Sequence, residues 1–374
     1  MKDFVYADNA ATTKVDKIAY EAMIPYLLEE YGNASQPYAF SRKPKKALQE
    51  AREVVATCIG ASPEEIFFTS GGTESDNWAI KSALYFGEVK RRVITSSFEH
   101  HAVLKSCETL EQLGYKVGYI QPSKEGYITT DSLNSLLDDD TGLVSVMFAN
   151  NEIGSIQPIK ELCETAHAHG SLFHTDAVQA IGHIKVDVKE LGVDFLSASA
   201  HKFNGMKGNG FLYIRKSCNL HSYIDGGGQE TGRRAGTEDI AGIVCMAAAL
   251  KNNCDRITEN EAQIRALEDF LLSRLDSTNL SYVRNGGQDT LPGLMSLSFP
   301  GADGEAILHR LDLMGICVST GSACNSKDTE ISHVLKAIGV EEKLAKGTIR
   351  ISLGKNNTED DVKRIADGLV KILA

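Results

Sequence analysis

A chain of 374 residues is roughly two and a half times a ~150-residue domain, so two lobes are expected, with enough length to bury a core without disulfides or a structural metal. With 42% hydrophobic and 24% charged residues, 33 Gly and 8 Pro, disorder and fibrous repeats are excluded; a formal charge of -11 with no dense basic cluster argues against nucleic acid. No stretch nears the roughly 18 apolar residues of a membrane span, the first residues lack a secretory h-region, and the eight cysteines show no CxxC or metal-ligand spacing, so a cytoplasmic protein with reduced thiols is expected.

From about residue 40 to 250, apolar runs alternate with amphipathic stretches. Strands are predicted at 66–69, 92–96, 116–120, 143–149, 171–175 and 194–199, with helices between them at 74–86, 102–113, 159–169 and 186–191. The 211–214 run follows a glycine-rich turn and suits an antiparallel addition. This pattern predicts a large α/β domain whose mainly parallel sheet lies between helices. Residues 237–275 read as one long helix or a kinked pair leading to a smaller α+β domain. Its strands are expected at 280–284, 294–299, 316–319 and 348–352, with helices near 304–312, 331–338 and 359–373. The expected division is a large domain over 15–255 and a small one made of 1–14 and 256–374.

In such a sheet, ligands bind beyond the carboxyl ends of the strands, and four of those junctions carry chemistry. Thr69-Ser70-Gly71-Gly72-Thr73 leads into a helix and offers free backbone N–H groups suited to one phosphate, although an ordinary helix cap would look the same. It lacks the lysine of a nucleotide P-loop and the GxGxxG spacing of a dinucleotide site. Asp176 ends an apolar strand with Gln179 three residues on; it would suit a protonated ring nitrogen, or cap the next helix. Ser199, His201 and Lys202 follow the next strand, where a desolvated lysine can form a Schiff base, although an isolated lysine is more often a surface residue. Cys324 lies in a loop of Gly, Ser and Ala with nothing to pack against, which suits a travelling nucleophile. Phosphate cradle, ring-nitrogen carboxylate and imine lysine together describe a pyridoxal 5'-phosphate site.

With these motifs in hand, the chain resembles the cysteine desulfurases of the class V aminotransferase group, the NifS/IscS type of fold type I pyridoxal phosphate enzyme. The matching motifs are YADNAATT (6–13), FTSGGTESDN (68–77), EHHAVL (99–104), NNEIGSIQP (150–158), HTDAVQ (174–179), SASAHKFNGMKG (197–208), GGGQETGRRAGT (226–237), STGSAC (319–324) and IRISLG (349–354). The resemblance implies that Lys202 holds the cofactor as an imine and that Asp176 pairs with its pyridine nitrogen. It puts Gln179 and Asn151 at the ring hydroxyl side, Asn151 also at the substrate, with Gly72, Thr73, Ser199, Ala200 and His201 at the phosphate. Thr237 would be supplied by the other subunit of a homodimer. His100 would stack on the ring and shuttle protons, Arg350 would grip the substrate carboxylate, and His101 has no motif role. The implied reaction converts L-cysteine to L-alanine and leaves a persulfide on Cys324, whose sulfur passes to an acceptor for iron-sulfur cluster, thio-cofactor or thiolated tRNA synthesis.

Two departures concern the acceptor. The family's NPSSxHxxGR pattern reads NASQPYAFSR at 33–42, with Tyr38 replacing the His, and Ile331 stands where a proline is usual. Longer relatives continue past the last helix with a tail that contacts the iron-sulfur scaffold, so a different acceptor, or several, is expected for a chain ending at Ala374. An aminotransferase, a selenocysteine lyase or another carbon-sulfur lyase shares the cofactor residues but does not need Cys324; a non-catalytic sulfur-carrier scaffold would not need Lys202 and Asp176. No metal site is expected, because His167 and His169 lie two apart on a helix and diverge.

Overall fold

Alternation of two apolar faces along each strand decides the architecture. A computed structural model describes residues 4–82, 90–218, 220–320 and 331–373; Cys324 and the last residues of the 74–86 prediction lie outside this set. A short strand β1 (Val5–Tyr6) is followed by seven strands that form one sheet: β2 (Ile66–Thr69), β3 (Arg92–Ser96), β4 (Lys116–Ile120), β5 (Thr141–Ser145), β6 (Leu172–Asp176), β7 (Phe195–Ser199) and β8 (Gly210–Ile214). Their spatial order is β2-β8-β7-β6-β5-β3-β4. Phe68, Ile94, Val144, Leu196 and Phe211 face one core, while Phe67, Val93, Leu143, Phe195 and Leu212 face another on the opposite side. Consecutive residues are therefore both buried, as expected of a sheet covered on both faces. Helices Arg42–Cys58, Ile159–Ala168 and Ile240–Asp255 pack on the first face, and Gly72–Lys81 with His101–Gln112 pack on the second.

β3, β5, β6 and β7 are mutually parallel, and β8 is antiparallel to both β7 and β2. Two reversals cancel, so β2 runs in the same direction as β7. Thr69, Ser96, Asp176 and Ser199, the last residues of β2, β3, β6 and β7, consequently end at one edge of the sheet.

The predicted antiparallel run at 211–214 is present as β8. The predicted 143–149 strand ends earlier in the ladder: pairing with β3 stops at Ser145, although Val146 and Phe148 still donate to the β6 carbonyls of His174 and Asp176. The stretch over 237–275 is a pair of helices, Ile240–Asp255 and Ile257–Asp276, interrupted at Arg256 where φ is -121° and ψ is 19°. Beyond them, β9 (Val283–Asn285), β10 (Leu294–Ser298) and β12 (Thr348–Ser352) form an antiparallel three-stranded sheet, and β11 (Ile316–Cys317) pairs with β1. A separate apolar core, including Leu271, Met295, Leu297, Ile351 and Leu369, lies beneath this sheet, and Val5 joins it from the other end of the sequence. The β1–β11 pairing carries the YADNAATT segment toward the β6–β7 edge, where Thr13 N–H donates to the His201 carbonyl at 2.9 Å.

Candidate active site

The turn after β2 is shaped by close approach. Gly71 has φ 145°, in the region that favours glycine, and a Cβ on Gly72 would stand 2.5 Å from Val178 Cγ2. A Cβ on Gly71 would meet Ser199 Oγ at 3.3 Å, so these glycines let the start of the Gly72–Lys81 helix nest against the ends of β6 and β7. Gly72 and Ser199 are buried and Thr73 is exposed. The first-turn N–H groups and the helix dipole make this junction receptive to an anion. Ala200, His201 and Lys202 form a short 3-10 turn directly after β7, with Ala200 fully buried. His201 Nδ1 lies 3.1 Å from Thr12 Oγ1, and burial, with Lys202 and Lys207 nearby, pushes the ring down to about 4, so it is neutral at physiological pH. Glu74 accepts from Arg234 Nε at 2.8 Å and from the Ser70 N–H at 2.8 Å, which ties the 226–237 segment to this turn. Thr237, at the end of that segment, is exposed.

The floor of the site lies under β6 and β7. Lys202 Nζ donates to the carbonyls of Ala10 at 2.5 Å and Ala11 at 2.9 Å, and Gln179 Nε2 donates to the same Ala10 carbonyl at 3.0 Å. Asp176 Oδ1 accepts from the Val178 N–H at 2.9 Å, so the carboxyl does cap the following turn while standing in the pocket. His100 is the N-cap of the His101–Gln112 helix: its Nδ1 accepts from the Ala102 N–H at 3.1 Å, which requires the proton of the neutral ring to be on Nε2. Burial, with Lys202 and His101 nearby, lowers the His100 pKa against the pull of Asp176, favouring that neutral ring. Ligand-capable atoms of Asp76, His100 and Asp176 all lie within 4.8 Å of one another. His167 and His169 diverge as their spacing predicts: His167 Nε2 is 2.7 Å from Asp194 Oδ2, and His169 Nδ1 is 3.1 Å from the Thr165 carbonyl.

The rim is assembled from distant parts of the chain. Arg350, on β12 and 6% exposed, donates through Nη2 to Asp8 Oδ1 at 2.8 Å and through Nη1 to the Asn151 carbonyl at 2.8 Å. Its Nε–H is buried without an acceptor among the described residues. Ser319 exchanges backbone hydrogen bonds with Arg350, which anchors the residues just before 321–330. Just after them, Ser332 Oγ bonds Glu152 Oε2 at 2.5 Å and His333 Nε2 bonds the Glu99 carbonyl at 2.8 Å. Both flanks of the Cys324 segment thus stand beside residues that border the floor.

Sequence reasoning missed Asp8, Asp76 and Glu99 as site residues. Asp76 carried a usable signal, because it lies one helical turn beyond Gly72 and therefore on the face that turns toward the pocket. Asp8 sits inside a quoted motif, but its partner is 342 residues away. Glu99 had no signal beyond adjacency to His100.

These residues fit pyridoxal phosphate. A glycine-shaped anion cradle stands at one end and a buried carboxyl at the other, with a lysine amine and an imidazole between them. Two buried carboxyl oxygens there, Asp76 Oδ1 and Glu99 Oε2, have no hydrogen-bond partner among the described residues.

Known proteins converge on the same reading. The family model for class-V aminotransferases matches residues 5–365. The chain is similar to the cysteine desulfurase IscS of Dictyoglomus turgidum, 47% identical over 100% of this chain and 95% of that protein. It is also similar to the cysteine desulfurase IscS of Methanosarcina thermophila, 46% identical over 99% of this chain and 92% of that one. A solved structure described as a NifS-like protein superposes with TM-score 0.93 at 40% identity, covering 99% of both chains. The chain therefore belongs to the class V aminotransferases, a family that uses pyridoxal phosphate, and within it to the cysteine desulfurases.

Proposed function

We propose that this protein converts L-cysteine to L-alanine and passes the sulfur, as a persulfide on Cys324, to an acceptor protein or thiol. The observation that carries the reading is the convergence of Lys202, Asp176 and His100 at one sheet edge, beside the Gly71–Gly72 cradle. Pyridoxal phosphate bound there supplies an electron sink that lets a Cα–H bond and then a carbon-sulfur bond of an amino acid break.

On this reading Lys202 Nζ would hold the cofactor and would be the base for the Cα proton, and the Ala10 and Ala11 carbonyls keep the amine within reach. Asp176 holds positive charge at the pyridine nitrogen. Gly72, Thr73, Ser199, Ala200 and His201 hold the phosphate together with the partner subunit's Thr237, while Gln179 and Asn151 orient the ring hydroxyl. His100 would stand against the cofactor ring and would move protons through Nε2, since its Nδ1 is engaged by the helix. Arg350 receives the substrate carboxylate through its planar fork, and its unpartnered Nε–H is a donor available for that purpose. The Cys324 thiolate takes the sulfur as the carbon-sulfur bond breaks.

A homodimer is supported by the apolar side chains left exposed between residues 18 and 40. Ile18, Tyr20, Leu27, Leu28, Tyr31 and Tyr38 are each more than half exposed, a density that a second copy would cover. The division into a large domain over 15–255 and a small one of 1–14 and 256–374 is part of the same proposal, supported by the separate core beneath β10 and β12. A reducing, cytoplasmic setting accords with seven cysteines that form no disulfide among the described residues, and no helix there is long and apolar enough to cross a membrane.

The test is to incubate purified protein with L-cysteine and count alanine against sulfane sulfur, then repeat with L-selenocysteine and candidate acceptors. Equal amounts of alanine and sulfane sulfur are expected, unaffected by prior dialysis against a chelator. Alanine without sulfane sulfur, or loss of activity restored by zinc, would overturn the reading.

A further inference from the structure

Beneath the pocket, two carboxyl groups are buried together. Asp76, in the second turn of the Gly72–Lys81 helix, is 1% exposed, and Asp176, at the end of β6, is 5% exposed. Their oxygens lie within 4.8 Å of one another and of His100. Two carboxylates this close in a buried site repel strongly when both are ionised, which favours one proton held by the pair. Their surroundings decide which one carries it. Burial raises the Asp176 pKa as well, but Asp176 accepts the Val178 N–H at 2.9 Å and lies near Lys202, and both favour its charged form. Asp76 has only the Ser197 hydroxyl for this purpose: its Oδ1 is without a hydrogen-bond partner among the described residues and stands 3.6 Å from His174 Nε2.

His174 is not a counter-ion for Asp76. The ring is fully buried, spanning Ser145 Oγ at 2.8 Å and Ser197 Oγ at 3.0 Å, and burial pushes it down to about 3, so it is neutral. Glu99 is the remaining acid facing Asp76 and would repel its charge only when itself ionised. Burial and the neighbouring Asp176 carboxyl accordingly drive the Asp76 pKa far above the carboxylate range.

We propose that Asp76 is a positioning residue: it keeps the proton of the Asp76–Asp176 pair and donates it as a hydrogen bond to Asp176, leaving that carboxylate ionised and aimed into the pocket. The significance of this for the reaction rests on the reading of Asp176 as the partner of the cofactor's ring nitrogen. The protonation of Asp76 itself does not. Ser145, His174 and Ser197 form the neutral polar chain that holds Asp76 from behind without supplying charge.

The experiment has two arms that can fail separately. In cofactor-free protein, the infrared spectrum at neutral pH contains a protonated-carboxyl C=O band that disappears in Asp76→Asn; absence of such a difference band overturns the proposal whether or not the protein binds pyridoxal phosphate. In protein loaded with pyridoxal phosphate, Asp76→Asn still offers an N–H to Asp176, whereas Asp76→Ala offers nothing. The pH midpoint of the cofactor's visible absorbance and the cofactor dissociation constant should therefore stay near the parent values in Asn. In Ala the midpoint should move and the cofactor should bind about tenfold more weakly. Equal disturbance by Asn and Ala, or an Ala variant indistinguishable from the parent, overturns the proposal while leaving the desulfurase reading in place. Failure of the parent protein to take up pyridoxal phosphate would instead sink that reading and leave the infrared arm to decide the proton's location.

Discussion

The floor and the rim of the pocket are built in different ways. Floor residues Asp176, Ser199 and Lys202 end or directly follow adjacent parallel strands, so backbone ladders between residues close in the sheet set their positions. The rim around Arg350 joins Asp8, Asn151, Ser319 and β12, pieces separated by as many as 342 residues and tied by side-chain and single-strand contacts. The floor is thus preorganised by secondary structure, whereas the rim exists only when β12 and the YADNAATT segment are docked. On the proposed function, cofactor chemistry belongs to the first region and substrate recognition to the second, and substitutions in the two should separate accordingly.

The largest effect is expected from Lys202→Ala, which should abolish turnover and the yellow covalent cofactor species; residual alanine formation from L-cysteine would break the assignment of the floor. Cys324→Ser sharpens the contrast. It should keep the cofactor spectrum and lose sulfur transfer, and undiminished transfer to an acceptor would remove the nucleophile assignment.

Rim substitutions should leave the cofactor in place. Arg350→Lys replaces a planar fork by a point charge, and KM for L-cysteine should rise by about one to two orders of magnitude while the spectrum of the bound cofactor is unchanged. Asp8→Asn keeps the shape but removes the ion pair that orients Arg350, so a smaller KM increase of about fivefold is expected. A rim variant that instead sheds cofactor would show that the two regions are not separable.

The smallest effect concerns Glu99, whose Oε1 is held by Ser96 Oγ at 2.5 Å and the Met147 N–H at 2.9 Å. Burial pushes its pKa from the ordinary glutamate value of 4.5 up to about 8. The folded state therefore holds a proton that the unfolded chain has released between these values, so stability is highest below the unfolded value and falls as pH rises toward 8. Glu99→Gln should flatten that decline and raise stability at pH 8 by about 1 kcal/mol or more, read from denaturant midpoints across the range. An unchanged slope would mean that Glu99 is ionised in the fold.

Much of the floor could be read without coordinates. Each of its residues follows an apolar run, and in a doubly covered parallel sheet the end of such a run is a ligand position. Arg350 was legible only through resemblance, since within its own strand it is one polar residue in an alternating pattern. Asp76 was harder to read for a different reason, despite its place one turn beyond Gly72. A carboxyl in an amphipathic helix ordinarily faces water, and only the packing of that helix against β6 and β7 turns it inward. The predicted end of the 143–149 strand was misjudged because its apolar residues stay buried and partly bonded to β6 after β3 has stopped pairing.

The amino-acid order by itself determined the alternation of strands and helices, the glycine turn after β2 and the sites where amine, carboxyl, imidazole and thiol enter the chain. These depend on local periodicity and local backbone freedom, which neighbours in sequence control. The tertiary structure alone decided that Asp8 meets Arg350, that Lys202 reaches the Ala10 and Ala11 carbonyls, and that Asp76 lies beside Asp176 in a site from which water is excluded. Those outcomes depend on which faces pack together and on how much solvent the packing removes, and a proton between two carboxyls responds to that desolvation.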